Sequence, residues 1–486
     1  MKKLKNILRY LMKHKIKAWI VGGYPRDMLL KKNTPDIDIV LQGNARQVSE
    51  KISKKFKLTL VVLHEEKRIY RLICDGYHLD FSQIRGKTLL NDLSRRDFTI
   101  NSMAIEINPL TSKAIATGAK TLIIDPFGGR SALRNKRIDV ISEKNLIDDP
   151  LRILRAYRLA STLVFGITKK TRRGIRKYSS LVLHPAKERI RDEISKILSV
   201  NNSYGTLDEL YGDGVLEKIF PEIRIMKNSP GRFYFHPGGL WEHSLKALRG
   251  IEKILSDAKK HFPGLSGEIT AHISTRLVLI KIVTLFHDIA KPATVRKIDG
   301  RVRFFGHESV GAKMVKRILT RLRFSGKDVS SAVKMVQHHM RAGNLFQAKF
   351  LTHKAVYRFF RDTGDEAVDI FLLSCADRLS YVGVTSGIKD VEKFIAFAGK
   401  MIERYFEFRR KAEQPKLLNG HVLMKKFNLA PGPVIGELLR IVDEYRSAGK
   451  IETAGQALHL LRKKLPKILK KFKRKKTTLK KTDKVK

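Results

Sequence analysis

The sequence predicts an α+β protein: a mixed head with a small β-sheet, followed by an all-helical remainder. Three features of the chain carry this. The first 140 residues alternate short runs rich in β-branched and aromatic residues with helical stretches. From about Asp148 the apolar residues Leu151, Leu154, Ala156, Leu159 and Leu163 fall at helical spacing. A length of 486 residues with 43% hydrophobic content suffices for two or three packed domains.

The N-terminal stretch reads as an amphipathic helix running into a strand at Ala18–Val21. Gly22-Gly23 follows, then a helix at Arg26–Leu30. Asp36–Leu41 and Leu58–Leu63 read as strands. Tyr70–Ile73 and Tyr77–Ile84 form a hairpin around Asp75-Gly76, a pair that accepts the positive φ angles a tight turn requires. Pro221, Pro230 and Pro237, with nearby glycines, mark a boundary at 221–239. Helices are expected from Leu240 to Lys400, with a smaller helical unit at Leu417–Leu465. Lys470–Lys486, mostly Lys, Arg and Thr, is expected to be a disordered basic arm. The expected domains are therefore 1–140, 141–225, 236–395 and 400–469, with a tail at 470–486.

Lys and Arg number 98 against 47 Asp and Glu, a net charge of +51. Such an excess repels itself unless a polyanion is at hand, so nucleic acid is the expected partner. The two cysteines, Cys74 and Cys375, exclude a disulfide framework and suit a reducing cytoplasm. The basic N-terminus has neither the apolar core nor the small-residue cleavage site of a signal peptide. The most apolar stretch, Leu277–Ile289, contains Lys281, His287 and Asp288 and is too short and polar to span a bilayer, so no membrane association is expected.

Residues that could carry chemistry appear in a fixed order. Gly22-Gly23-Tyr-Pro-Arg26-Asp27 follows a strand and opens a helix; bare backbone N–H groups and a fixed cation there suit a phosphate. Asp36 and Asp38, at i and i+2 on a strand, point to one face and can bind the same pair of Mg²⁺ ions. Asp80 lies on another alternating strand that can run beside the first. In Arg95-Arg96-Asp97-Phe-Thr-Ile-Asn101 the arginines suit phosphates, and Asp97 with Asn101 suits ribose hydroxyls, although Asp97 also fits a simple helix cap. Arg152, Arg155 and Arg158 recur every third residue and place a basic stripe along one helix.

The ordered set GGYPRD, DIDIV, LDF, RRDFTINSMA, DPFGGRSAL and DDPLRILRAYR, over residues 18–200, resembles the class II tRNA nucleotidyltransferase and bacterial poly(A) polymerase family. The resemblance implies a nucleotidyltransferase head of the polymerase-β type followed by a helical neck and body. It implies that Asp36 and Asp38 bind catalytic magnesium with Asp80 assisting, that Arg26 touches the triphosphate, and that Asp97 selects the ribose. Asp149 and Arg152 would hydrogen-bond the Watson–Crick edge of CTP or ATP, one accepting and the other donating. Glu188-Arg-Ile-Arg-Asp-Glu193 is similar to the family's next, structural motif. Tyr24-Pro25 and Asp148 depart from the family pattern without removing a catalytic group.

Farther on, His243, His287-Asp288, His307, His338-His339 and Asp377 are spread over helices, a donor set suited to a divalent transition metal. Their order resembles the HD phosphohydrolase superfamily, which implies a metal at His243, His287, Asp288 and Asp377, with His307 and His338 as further candidates. Leu418-Asn-Gly-His421 onward is similar to the C-terminal, RNA-contacting unit of such chains. The expected function is addition of CCA, or part of it, to tRNA 3′ ends. The alternatives are a CC-only or A-only enzyme, or a poly(A) polymerase. The last is disfavoured because Gly43-Asn-Ala-Arg replaces that group's glycine–basic–basic–Phe run. A reading from another class makes the metal domain the catalyst and the head an RNA-binding module. Oligomeric state is not legible.

Overall fold

The computed structural model describes residues 2–66, 68–109, 122–228, 236–413 and 415–482. The chain divides into two compact units, residues 1–224 with 321–324, and residues 225–320 with 325–486.

The first unit opens on the helix Lys2–Lys13, which buries Leu4, Ile7, Leu8 and Leu11 along one stripe. Six strands follow: β1 (Ala18–Val21), β2 (Asp36–Leu41), β3 (Thr59–His64), β4 (Ile69–Cys74), β5 (Tyr77–Gln83) and β6 (Ala104–Glu106). They form one sheet in the order β3-β4-β5-β2-β1-β6. β2 and β5 pair in parallel, an arrangement the crossover helix Ala45–Phe56 permits, and the other neighbours are antiparallel. Central strands are apolar on the buried face, with Ile37, Ile39, Leu79 and Phe81 fully enclosed. Asp75 and Gly76 both take positive φ at the β4–β5 turn, as the sequence predicts. Farther along, the helix Leu151–Leu163 buries Leu151, Ile153, Leu154, Ala156, Tyr157 and Leu159.

The second unit is helical. The helix Gly239–Ser256 packs on Leu277–Phe286 and on Ala367–Ser380, which in turn contacts Gly326–Gln347. Their shared core includes Leu248, Ile251, Ile280, Val283, Phe371 and Leu372. A separate apolar cluster around Leu423, Leu438, Ala457 and Leu461 holds the C-terminal helices together.

One expectation is corrected. The last helix runs Ala454–Thr482, through most of the segment read as a disordered arm. Lys, Arg and Leu are good helix formers, and neither Gly nor Pro occurs between Lys467 and Thr482 to stop a helix already nucleated upstream. The last four residues of that arm lie outside the described ones. No single helix among the described residues is long and apolar enough to cross a membrane; the bent pair Ser266–Ser274 and Leu277–Phe286 passes only jointly, at 87°.

Candidate active sites in the head and the helical domain

In the head, register does the assembling. Pairing of β2 with β5 sets Asp38 opposite Asp80 and Asp36 opposite His78, while β4 sets Arg71 opposite Asp80. Arg71 holds Asp80 through two hydrogen bonds of 2.7 and 2.8 Å, and Asp36 faces His78 Nδ1 at 3.0 Å. With the outer two carboxylates engaged in this way, the three acids do not form a single group with ligand atoms within 4.8 Å of one another. Asp38 lies in the floor of a cleft of about 850 Å³, and Asp80 also lines it. Loss of surrounding water pushes the Asp38 pKa up; Arg96 opposes this, and the neighbouring Asp80 adds to it. Hard oxygen donors of one sign on adjacent strands are the ligand type that a divalent cation of the magnesium type takes.

Gly22 has to be glycine. Its φ is +72°, and a Cβ there would stand 2.2 Å from Asp38 Oδ2. The turn thus brings bare backbone against the carboxylate, and the helix Gly23–Leu29 begins at the cleft.

The same cleft is lined by Gly22, Gly23, Arg26, Arg95, Arg96, Asp97, Asn101, Asp149, Arg152, Arg155 and Arg158, so it gathers nearly all the head and neck residues singled out from sequence. Several of them are engaged with one another. Arg26 grips Asp27 through Nε and Nη2, both at 2.8 Å, and donates Nη1 to Asn101 at 2.7 Å. Asn101 donates to Asp97 at 3.0 Å, and the Phe98 N–H donates to the same oxygen at 2.8 Å. Arg155 reaches the other Asp97 oxygen at 2.8 Å. Burial would raise the Asp97 pKa, but Arg155 and these donors outweigh it and hold the pKa below the ordinary range. Arg96 is held by Asp92, and Arg158 by Glu193 at 2.7 Å. Arg152 is buried and donates to the carbonyls of Asn145 at 3.0 Å and Arg95 at 2.7 Å, which fixes it across the head–neck seam.

Sequence reasoning missed two cations here. Arg71 had a legible signal, alternation along β4, but its facing residue depends on register. Arg189, 3.3 Å from Asp149, stood inside a motif taken as structural.

In the helical domain, His243, His287, Asp288 and Asp377 offer ligand atoms within 4.8 Å of one another; so do Asp288, His307 and His339, with Asp288 common to both groups. His243 Nε2 lies 3.3 Å from both Asp288 and Asp377, and His307 and His339 Nε2 lie 3.4 and 3.6 Å from Asp288 Oδ1. The other ring nitrogens explain why Nε2 faces inward. Nδ1 of His287, His307 and His339 donates to the carbonyls of Thr284, Phe304 and Val336 at 2.8, 2.8 and 2.6 Å. A carbonyl only accepts, so Nδ1 carries the proton and Nε2 keeps its lone pair. His243 does the same through Ser380 Oγ, whose own proton goes to the Asp377 carbonyl.

The Nε2 atoms of His243 and His287 and an Oδ1 atom each of Asp288 and Asp377 are buried without hydrogen-bond partners. Orphaned lone pairs converging on one point are what a bound cation satisfies. The residues therefore fit a metal.

His338 does not belong to this cluster. Successive helical residues point about 100° apart, and His339, not His338, continues the buried stripe Ala332, Met335, Val336. His338 is half-buried elsewhere, its pKa pushed down by burial and by Arg341.

Sheet, cleft and helical cluster together give a head with an acidic, arginine-lined cleft and a helical domain with a candidate metal centre. Residues 18–139 match the Poly A polymerase head domain, 164–226 the probable RNA and SrmB-binding site of polymerase A, and 240–381 the HD domain. The chain thus combines head, RNA-binding and HD domains, is similar over most of its length to tRNA nucleotidyltransferases, and is an enzyme. It is 29% identical to the CC-adding tRNA nucleotidyltransferase of Thermus thermophilus, over 90% of this chain and 92% of that protein. It is likewise 29% identical to the A-adding enzyme of Deinococcus radiodurans, over 90% and 94%. A CCA-adding enzyme with ATP shares the fold at a TM-score of 0.63 and 20% identity, covering 95% of this chain and 94% of that one. The Thermotoga maritima CCA-adding enzyme complexed with tRNA does so at 0.60 and 22%, with the same coverage.

Proposed function

We propose that this protein adds C and A residues to the 3′ end of tRNA from CTP and ATP. The observation that supports this most is the single cleft that brings Asp38 and Asp80 within reach of Gly22, Arg95, Asp149 and the arginines of the 151–163 helix. The 3′-hydroxyl of the RNA attacks the α-phosphorus, a new phosphodiester forms, and pyrophosphate leaves. Asp36 and Asp38, with Asp80, would hold Mg²⁺, which lowers the pKa of the attacking hydroxyl and neutralises the leaving charge. Backbone N–H groups at Gly22-Gly23 and the Arg95 side chain steady the triphosphate. Arg26, gripped by Asp27 and Asn101, acts as a buttress for that turn as well as a cation beside the phosphates. Asp97 and Asn101 face the ribose. Asp149 accepts from the amino group that cytosine and adenine share, and Arg152 keeps N–H groups beyond the two it gives to backbone.

Two readings of extent stand side by side: complete CCA addition, and a partial reaction. The partial one is favoured by the CC-adding and A-adding names of the relatives spanning nine-tenths of the chain. The HD cluster supports a second activity, hydrolysis of a phosphate ester with a divalent transition metal at His243, His287, Asp288 and Asp377. The Lys-rich C-terminal helix suits RNA phosphates, and two free, buried cysteines suit a reducing cytoplasm.

Three tRNA transcripts, ending before CCA, after C and after CC, test the reading when CTP and ATP are supplied singly and together with Mg²⁺. Completion of all three marks the full enzyme. Addition of A alone or C alone marks a partial one, and no incorporation overturns the proposal.

A further inference from the structure

A buried node lies on the side of the 151–163 helix facing away from the cleft. Tyr157 is 1% exposed, and its hydroxyl donates to Asp213 Oδ2 at 2.6 Å. The Asp213 side chain is fully enclosed, and it also accepts from Arg172 Nη1 at 2.9 Å and Arg176 Nε at 2.7 Å. Arg172 continues to Glu209 at 2.8 Å. Burial beside the Asp213 carboxylate pushes the Tyr157 pKa up, so the phenol stays a donor. Three helical segments thus meet on one carboxylate: Leu151–Leu163, Lys169–Lys177 and the end of Ser203–Gly212.

None of these five side chains lines the cleft. Yet Tyr157 shares its helix with Arg152, Arg155 and Arg158, and the node opposes rotation of that helix about its own axis. Apolar packing resists separation but is weakly directional, whereas a short hydroxyl–carboxylate bond fixes an angle. We propose that Asp213, acting through Tyr157, is a positioning residue for nucleotide choice: it sets the angle at which Arg152 and its neighbour Asp149 meet the incoming base. A turn of the helix displaces guanidinium groups on its far face, and a misplacement of about 1 Å can cost about a hundredfold in rate. This rests on the nucleotidyl-transfer reading of the cleft.

The test compares the full chain with Tyr157→Phe and Asp213→Asn, assayed below the melting temperature of each. The readouts are kcat and KM for CTP and ATP, and the ratio of UTP to CTP incorporation. Positioning predicts a fall in kcat and a rise in UTP misincorporation, each about tenfold, in Tyr157→Phe, with the enzyme still folded. If Asp213→Asn does not fold, Tyr157→Phe alone decides. A lowered melting temperature with unchanged kcat and unchanged UTP:CTP ratio overturns the proposal and leaves the node as a stability device. A parent chain that incorporates nothing removes the transfer reading and this inference together. Normal incorporation by the parent and by both variants removes only the inference.

Discussion

Asp97 and Arg155 meet at 2.8 Å, one at the start of the Thr99–Asn101 turn of the head and the other in the middle of the 151–163 helix. Through Asn101 the same carboxylate reaches Arg26 at the Gly-Gly turn. The Gly-Gly turn and the 151–163 helix are therefore linked by four side chains in series.

That link gives a pH dependence. The Asp97 pKa is lower in the folded chain than the ordinary 3.8. The carboxylate's contribution to stability is therefore complete above that value and is lost as pH falls through the lowered one. Asp97→Asn should reduce stability near neutral pH by about 3 kcal/mol and flatten the acid limb of a melting-temperature profile. A variant profile parallel to the parent's below pH 4 would show that the pair does not carry it.

Removing the cleft carboxylate should separate the two activities. Asp38→Asn is expected to lower nucleotide incorporation by about a thousandfold or more, with melting temperature held within a few degrees, since Asp38 lines the cleft and not the apolar core. Hydrolysis of a generic phosphate ester by the HD cluster should be unchanged. Loss of both activities together would contradict independent sites.

Metal should stabilise the helical domain. After chelation, adding Mn²⁺ at about a hundred times its dissociation constant should contribute about 2.7 kcal/mol, seen as a higher melting temperature. Asp288→Ala should abolish that shift, because both ligand groups use Asp288. His338→Ala should retain it.

The C-terminal helix should contribute salt-sensitive affinity. Lys463, Lys464 and Lys467 line one groove with Lys354, Lys450 and Tyr445. Changing the three helix lysines to Glu should weaken tRNA binding and reduce the steepness of log affinity against log salt by about one for each phosphate no longer neutralised. An unchanged slope would place the RNA elsewhere.

Much of the head was legible from sequence because its signals are local. An apolar run marks β1, alternation marks β2 and β5, and Asp75-Gly76 marks a turn that such residues accept. What joins distant segments was not. The sequence places the Asp80 strand beside the first, but its parallel sense and the register that sets Asp38 opposite Asp80 are recorded by no local pattern. Arg71 and Arg189 escaped for the same reason: each matters through a carboxylate supplied by another element. His338 and His339 show the opposite case. Helical periodicity from Ala332 onward already separates the two, had the stripe been followed. The tail was misjudged because charge was weighed above helix propensity.

Adjacent glycines can carry unequal duties, and Gly22 and Gly23 do. A side chain at 22 would collide with Asp38 and adopt a strained backbone, whereas one at 23 would first meet the guanidinium end of Arg26, at 3.1 Å, with no positive φ to maintain. A saturation library across the pair should come back lopsided, with nothing tolerated at the first position and small residues accepted at the second. Such a library would read the spacing between turn and carboxylate directly from survival, without a purified enzyme.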